Sequence, residues 1–351
     1  MSVELFKLAP GYDIPRLIRG GWQLAGDHGE VDRARAIANM AVFVEAGIDT
    51  FDCADIYTGV EDIIGEFRAS RSASQAALRV HTKFVPDLND LAQVDAAYVR
   101  RVVTRSLQRL RAERLDLVQF HWWDYNVPGM VATAKTLAEL QREGLIRHIG
   151  GTNFDTPQTA AMLDAGVPLV SMQVQYSLLD RRPSAALAAL CAKSGTRLLC
   201  YGSLAGGFIT EHWLGAPEPS DVSNPKSILL TNRSLIKYKL VIDDFGGWNA
   251  FQNLLQLLKR IGQRHSVSLS AVATRWVLEQ PQVAAVIVGA RYASHLPEHL
   301  QVFSFTLDAE DHGEIDALLA TCPSPQGVTY ALERDRSGRH GRIMKYNLSK
   351  V

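Results

Sequence analysis

Apolar residues in this chain come in short runs, and between the runs they recur at helical spacing. The runs are LIRGGW (17–22), IDTFDCA (48–54), LRVHTKF (78–84), LDLVQFHW (115–122), LIRHIGGTNF (145–154), PLVSMQVQY (168–176), TRLLCYGSL (196–204) and AAVIVGA (284–290). Each reads as a buried strand, giving eight. Between them Val99, Val102, Val103, Ser106, Leu107 and Leu110 share one helical face, and Phe251, Leu254, Leu255, Leu258 and Ile261 share another. Gly47, Gly144, Gly166 and Gly195 each stand where a helix must stop before the next strand. Eight strands alternating with helices predict a parallel sheet closed into a (β/α)8 TIM barrel, an α/β fold.

Three segments fall outside that alternation. Residues 3–14 predict a small hairpin around Pro10 and Gly11, closing one end of the barrel. Residues 205–250, rich in Gly, Pro and Ser, form a long insertion after the seventh strand, and insertions of that length carry function or move. After a last helix, residues 321–351 make a basic tail with Arg334, Arg336, Arg339, Arg342 and Lys345. The barrel is assigned to 1–320, and the tail is read as a solvated or subunit-packing arm rather than a lid. The rival architecture is an open sheet with a dinucleotide fingerprint. No GxGxxG is present in RGGWQLAG, IGGTNF or SLAGGF.

Composition narrows the partners. Lys plus Arg and Asp plus Glu are equal at 37 each, so no net field recruits nucleic acid or an anionic membrane. A small-molecule partner is expected. Cys53, Cys191, Cys200 and Cys322 show no metal or CxxC spacing and read as reduced thiols of a cytoplasmic protein. The N-terminal segment has no apolar core of a signal peptide.

The chemistry lies at the strand exits, which converge on one mouth in a parallel barrel. The second run ends at Asp52 with Tyr57 beyond it, the third at Lys83 and the fourth at His121. A phenol with a pKa of about 10 needs help to move protons at neutral pH. A nearby ammonium lowers that pKa, and a carboxylate keeps the ammonium charged and aimed. Tyr57, Lys83 and Asp52 thus read as a proton relay, with neutral His121 donating a ring N–H to a substrate oxygen. Singly, each residue is better explained as a cap, a solvated side chain or a satisfied strand end. Their coincidence at successive exits reverses that balance. A metal held by His121 and Asp124 lacks a third ligand at a readable spacing, so no metal is expected.

These residues resemble the aldo-keto reductases over about residues 16–310. FDCADIY is similar to that family's Asp-x-Ala-x-x-Tyr signature, HTKF to its lysine strand and LVQFHWWD to its histidine strand. The resemblance implies an NADP enzyme, with NAD as the alternative, that passes hydride between nicotinamide and a carbonyl carbon, with Tyr57 as proton donor. It implies that Thr152, Asn153 and Gln173 hold the carboxamide and that Tyr201 stacks on the nicotinamide. Ser203, Leu204, Gly206 and Gly207 would form the pyrophosphate loop, and Gly289, Ala290, Arg291, His295, Glu298 and His299 the adenosine segment. His295 stands where an arginine or glutamine is usual and His299 where an asparagine is, leaving Arg291 to meet a 2'-phosphate. Trp22 and Trp122 match aromatic walls of the substrate pocket, with Trp123, Asp124 and Tyr125 nearby. The expected activity interconverts an aldehyde or ketone, a sugar among the options, with its alcohol. The competing reading is a redox-sensing regulatory subunit with little turnover, and a third is a Schiff-base enzyme on Lys83.

Overall fold

The computed structural model describes residues 2–25, 29, 31–72, 77–220, 228–230 and 232–348. Strands β1 (Leu5–Ala9) and β2 (Tyr12–Pro15) form the predicted hairpin. The eight barrel strands are β3 (Leu17–Gly20), β4 (Thr50–Asp52), β5 (Arg79–Phe84), β6 (Leu115–Phe120), β7 (Ile146–Thr152), β8 (Leu169–Gln175), β9 (Arg197–Tyr201) and β10 (Val283–Gly289). They pair in parallel, in chain order, and β10 closes the barrel on β3. Seven lie within the predicted runs, and β10 starts one residue ahead of its run.

Helices α1 (Arg33–Glu45), α2 (Val60–Ser70), α3 (Ala96–Arg109), α4 (Met130–Arg142), α5 (Thr156–Asp164) and α6 (Ala186–Ser194) alternate with the strands. Local chemistry sets their ends. The side chains of Asp32, Asp95 and Asp155 accept the orphan backbone N–H groups at the starts of α1, α3 and α5. The four glycines expected to stop helices all adopt positive φ, between 78° and 90°. The described part of the long insertion leads into α7 (Arg233–Asp244), capped by Asn232, and α8 (Gly247–His265). Helix α9 (Leu269–Glu279) precedes β10, and α10 (Leu296–Leu300), α11 (Ala309–Thr321) and α12 (Ala331–Arg334) follow it. No helix among the described residues is long and apolar enough to cross a membrane.

The barrel has an apolar waist and two polar ends. Ile18, Leu117, Leu199, Ala285 and Ile287 cluster with Leu8 and Ile14 of the hairpin, which plugs the bottom. There the Tyr12 hydroxyl lies 3.1 Å from Nε2 of the buried His81, and its ring packs 4.6 Å from that of His148. Burial drives His81 down to about 3 and His148 to about 4, so both imidazoles are neutral. The top is built by alternation: residues two apart on a strand face the same side.

The tail departs from the reading as a solvated arm. Tyr330, Glu333 and His340 are buried. Arg334 donates to the carbonyls of Trp122 at 2.5 Å, Trp123 at 2.7 Å and Asn153 at 2.8 Å, and its guanidinium lies 4.0 Å from the Tyr125 ring centroid. Further along, Leu88 N–H donates to the Tyr346 carbonyl and Leu348 N–H to Asp87. Such contacts join residues 181 to 261 positions apart, which local composition does not encode.

Candidate active site

Four strands, β4, β5, β6 and β8, deliver one buried cluster. Lys83 and Gln119 are paired across β5 and β6, and Thr152 and Gln173 across β7 and β8. Lys83 Nζ donates to Asp52 Oδ2 at 2.7 Å and to the Cys53 carbonyl at 2.8 Å. The other carboxylate oxygen of Asp52 accepts from Gln119 at 3.0 Å and from Gln173 at 2.6 Å. Gln173 also donates to Gln119 Oε1 at 3.0 Å. Asp52 is therefore fully engaged, as a buried carboxylate must be. Gly150 makes room for this layer: a Cβ there would stand 2.4 Å from Ser171 Oγ and 3.5 Å from Gln119 Cγ.

Tyr57 sits in the turn after β4, with Lys83 Nζ 4.9 Å from its ring centroid. Burial raises the Tyr57 pKa, and although Lys83 opposes it, burial wins. The relay as first read needs the reverse, so this phenol is held as an acid. Burial also works against the charged Lys83, but Asp52 and Tyr57 outweigh it and its pKa is raised. The ammonium is thus secure.

His121 follows β6, two positions beyond Gln119, and so faces the same interior. Its Nδ1 lies 2.9 Å from the Thr152 carbonyl, while its Nε2 is buried without a partner. Burial, and then Arg334, push its pKa well below the usual imidazole value. A carbonyl accepts only, so the single hydrogen of the neutral ring is on Nδ1. In that tautomer the outward Nε2 bears a lone pair, whereas the sequence leads one to expect a donor there.

Alternation also corrects the aromatic walls. Because His121 faces inward, Trp122 faces outward: it is fully buried behind the barrel, 6.0 Å from Phe120 by ring centroids, and donates to the Val127 carbonyl. It cannot line the mouth. Trp123 packs edge-on against His121 at 4.4 Å instead, joined by Phe154 at 6.1 Å and by Tyr330 of the tail at 5.7 Å. Trp22 does reach the mouth, 5.0 Å from the Tyr57 ring, and donates to Ser234 at the start of α7.

The remaining residues surround the cluster on one side. Asn153 has a positive φ of 61° and accepts from the Tyr201 hydroxyl at 2.8 Å. After β9, Ser203 is buried and the loop through Gly207 turns on itself, with the Gly207 N–H donating to Leu204. Tyr238 of α7 lies on this loop: a Cβ at Gly206 would come 2.6 Å from its ring. At the exit of β10, Ala290 is buried and its carbonyl accepts from Arg19, while the Gly289 carbonyl lies 3.1 Å from His299 Nε2. Arg291 stacks on Tyr292 at 5.5 Å, His295 is exposed and Glu298 is half-buried on α10.

Several participants carried no local signal. Arg334 and Tyr330 arrive from the tail. Glu333 beside them takes two bonds from Arg182 at 3.2 Å and lies 3.9 Å from Lys237, which faces the Tyr201 ring at 5.4 Å. Gln119 could have been found, since it alternates with His121. A cavity of 440 Å³ opens between the tail and the loop after β6, lined by Trp123, Tyr125, Arg334 and Tyr346 among others, and none of Asp52, Tyr57, Lys83 and His121 lines it.

Comparison with known proteins bears on this arrangement. The profile of the Aldo/keto reductase family matches residues 16–320. The chain is 28% identical to the aldo-keto reductase YhdN of Bacillus subtilis over 336 residues, covering 91% of this chain and 95% of that protein. It is 28% identical over 261 residues to flagellar radial spoke protein 5 of Chlamydomonas reinhardtii, covering 64% of this chain and only 49% of that longer protein. Among solved structures, a glycerol dehydrogenase of Gluconobacter oxydans superposes with a TM-score of 0.75 at 25% identity, over 93% of this chain and 98% of its own. The chain belongs to the aldo/keto reductase family.

Proposed function

We propose that the protein is an NAD(P)H-dependent oxidoreductase interconverting an aldehyde or ketone with its alcohol. The observation that carries this reading is the Tyr57, Lys83 and Asp52 cluster, in which one phenolic proton is the mobile one. Lys83 cannot give its proton up, because Asp52 holds its charge. Tyr57, raised by burial, keeps its proton at neutral pH until a developing alkoxide takes it.

The donor set fits a nicotinamide nucleotide. Both amide hydrogens of Gln173 are spent on Asp52 and Gln119, which leaves its oxygen to accept from a carboxamide. Asn153, fixed by Tyr201, completes that contact, with Thr152 beside it. Tyr201 offers a flat face, and the glycines at 206 and 207 let a diphosphate approach backbone. Arg291 favours NADP over NAD, with His295, Glu298 and His299 shaping the adenosine end. When bound, the cofactor supplies the hydride that adds to the carbonyl carbon. Tyr57 hands its proton to the oxygen where the C=O electron pair comes to rest, while Trp22 and Trp123 flank the substrate.

Fluorescence titration with NADPH and NADH, followed by turnover with a carbonyl panel, tests the proposal. Binding of one nucleotide with steady oxidation on adding an aldehyde is expected. Tight binding with no turnover on any carbonyl would instead favour the redox-sensing subunit.

A further inference from the structure

We propose that Arg334 is a positioning residue for the reaction: from the tail, its guanidinium ties the exits of β6 and β7 together and so fixes Asn153, and with it the nicotinamide, for hydride transfer. The inference rests on the oxidoreductase reading and adds a participant to it. Its basis is geometric. Nη1 donates to the carbonyls of Trp122 and Trp123, which directly follow His121, and Nη2 to that of Asn153, which directly follows Thr152. One planar fork therefore holds the two segments that leave these adjacent strands.

Asn153 is where that hold matters. It is the first residue past β7, and its φ of 61° lies in the left-handed region, which costs a residue with a side chain energy and lasts only when the surroundings enforce it. Three bonds enforce it here. Its N–H donates to the Gln173 carbonyl at 2.8 Å, its side-chain oxygen accepts from the Tyr201 hydroxyl at 2.8 Å, and its carbonyl accepts from Arg334 at 2.8 Å. The first two partners belong to the barrel, and the third alone comes from the tail. Without it the peptide after Asn153 is free to turn, and the side chain that meets the carboxamide turns with it.

Arg334 is itself held in place. The preceding Glu333 is buried between Arg182 at 3.2 Å and Lys237 at 3.9 Å, its carbonyl accepts from the Tyr346 hydroxyl at 2.9 Å, and the guanidinium lies 4.0 Å from the Tyr125 ring centroid. Arg336, two residues on, is exposed and pairs with Asp124 at 3.2 Å. Charge and geometry separate at this position, because a lysine keeps the charge but cannot reproduce the planar spread of the fork.

Three variants test the proposal: Arg334→Ala, Arg334→Lys and, as a control, Arg336→Ala. Affinity is read by fluorescence titration with NADPH and by competition with 2'-phospho-ADP-ribose, which lacks only the nicotinamide. Stereochemistry is read by mass spectrometry of the alcohol formed with (4R)- and with (4S)-[4-²H]NADPH. Arg334→Ala should bind 2'-phospho-ADP-ribose as wild type does, lower kcat by about thirty- to a hundredfold, and pass deuterium from both faces of the nicotinamide where wild type passes it from one. Arg334→Lys should follow it, Arg336→Ala should match wild type, and added guanidinium ion should restore part of kcat to Arg334→Ala. Unchanged kcat and single-face transfer in Arg334→Ala, or an Arg334→Lys enzyme equal to wild type, overturns the inference. So does equal weakening of NADPH and 2'-phospho-ADP-ribose, the mark of a merely structural contact. Should Arg334→Ala fail to fold, Arg334→Lys decides by the same readouts. A wild-type protein that binds no nucleotide, or turns over no carbonyl, overturns the oxidoreductase reading and this inference with it.

Discussion

Two polar clusters occupy the same barrel, one at each end, and both are buried. At the bottom Tyr12, His81 and His148 are all neutral, and the hairpin covers them. At the top the groups are a charged Lys83 and Asp52 pair, a phenol and an imidazole with an unmet lone pair. Tyrosine and histidine are present in both, so residue type and burial do not distinguish a plug from a reactive site. The difference is charge and position. Each end has a buried imidazole nitrogen without a partner, but the upper cluster sets a phenol against a charged Lys83 and Asp52 pair, and it does so at the strand exits, where loops and tail supply the remaining walls.

The comparison breaks most sharply at the two tyrosines. Tyr57→Phe is expected to lower kcat by about a thousandfold or more, within the range for a lost general acid, with cofactor affinity and thermal midpoint nearly unchanged. Loss of nucleotide binding in that variant would argue against a proton-donor role. The tail belongs with the upper cluster, and Glu333→Ala takes the carboxylate from buried Lys237 and leaves Arg182 to Asp180 alone. About 3–5 kcal/mol of unfolding free energy should go with it, readable by urea denaturation. Tyr12→Phe should do the opposite of Tyr57→Phe, leaving kcat intact while costing about 1–3 kcal/mol, because His81 loses its hydroxyl partner.

The smallest effect is a pH dependence. Unfolded imidazoles take up a proton near pH 6.5, while folded His81 resists to about 3 and His148 to about 4. Across that window the unfolded chain binds more protons, so the contribution is whole above about pH 6.5 and lost as pH falls toward 3. Urea midpoints between pH 7 and 4 should therefore fall less steeply in His81→Gln than in wild type. An identical slope would remove His81 from the account.

The barrel was legible because each strand is a continuous apolar run and each helix stop a glycine. The grouping of Asp52, Lys83 and Tyr57 was legible because the strand ends hold ionisable groups. What could not be read depended on facing and distance. HWW does not announce which tryptophan turns outward until the strand register is known, so Trp122 was assigned a wall that Trp123 occupies. The composition of 205–250 hid RSLIKYKLVIDD, a helix whose Tyr238 lies on the glycine loop. Strand-end spacing does not show that burial outweighs Lys83 at Tyr57, since desolvation is a property of the finished fold.

Arg334 is supplied by a segment synthesised after all eight barrel strands. During translation the eight strands can close, and the helices can pack on them, before that guanidinium has left the ribosome. A message cut short after the barrel would then yield a soundly folded body with a slack rim, stable to denaturant yet poor at its task.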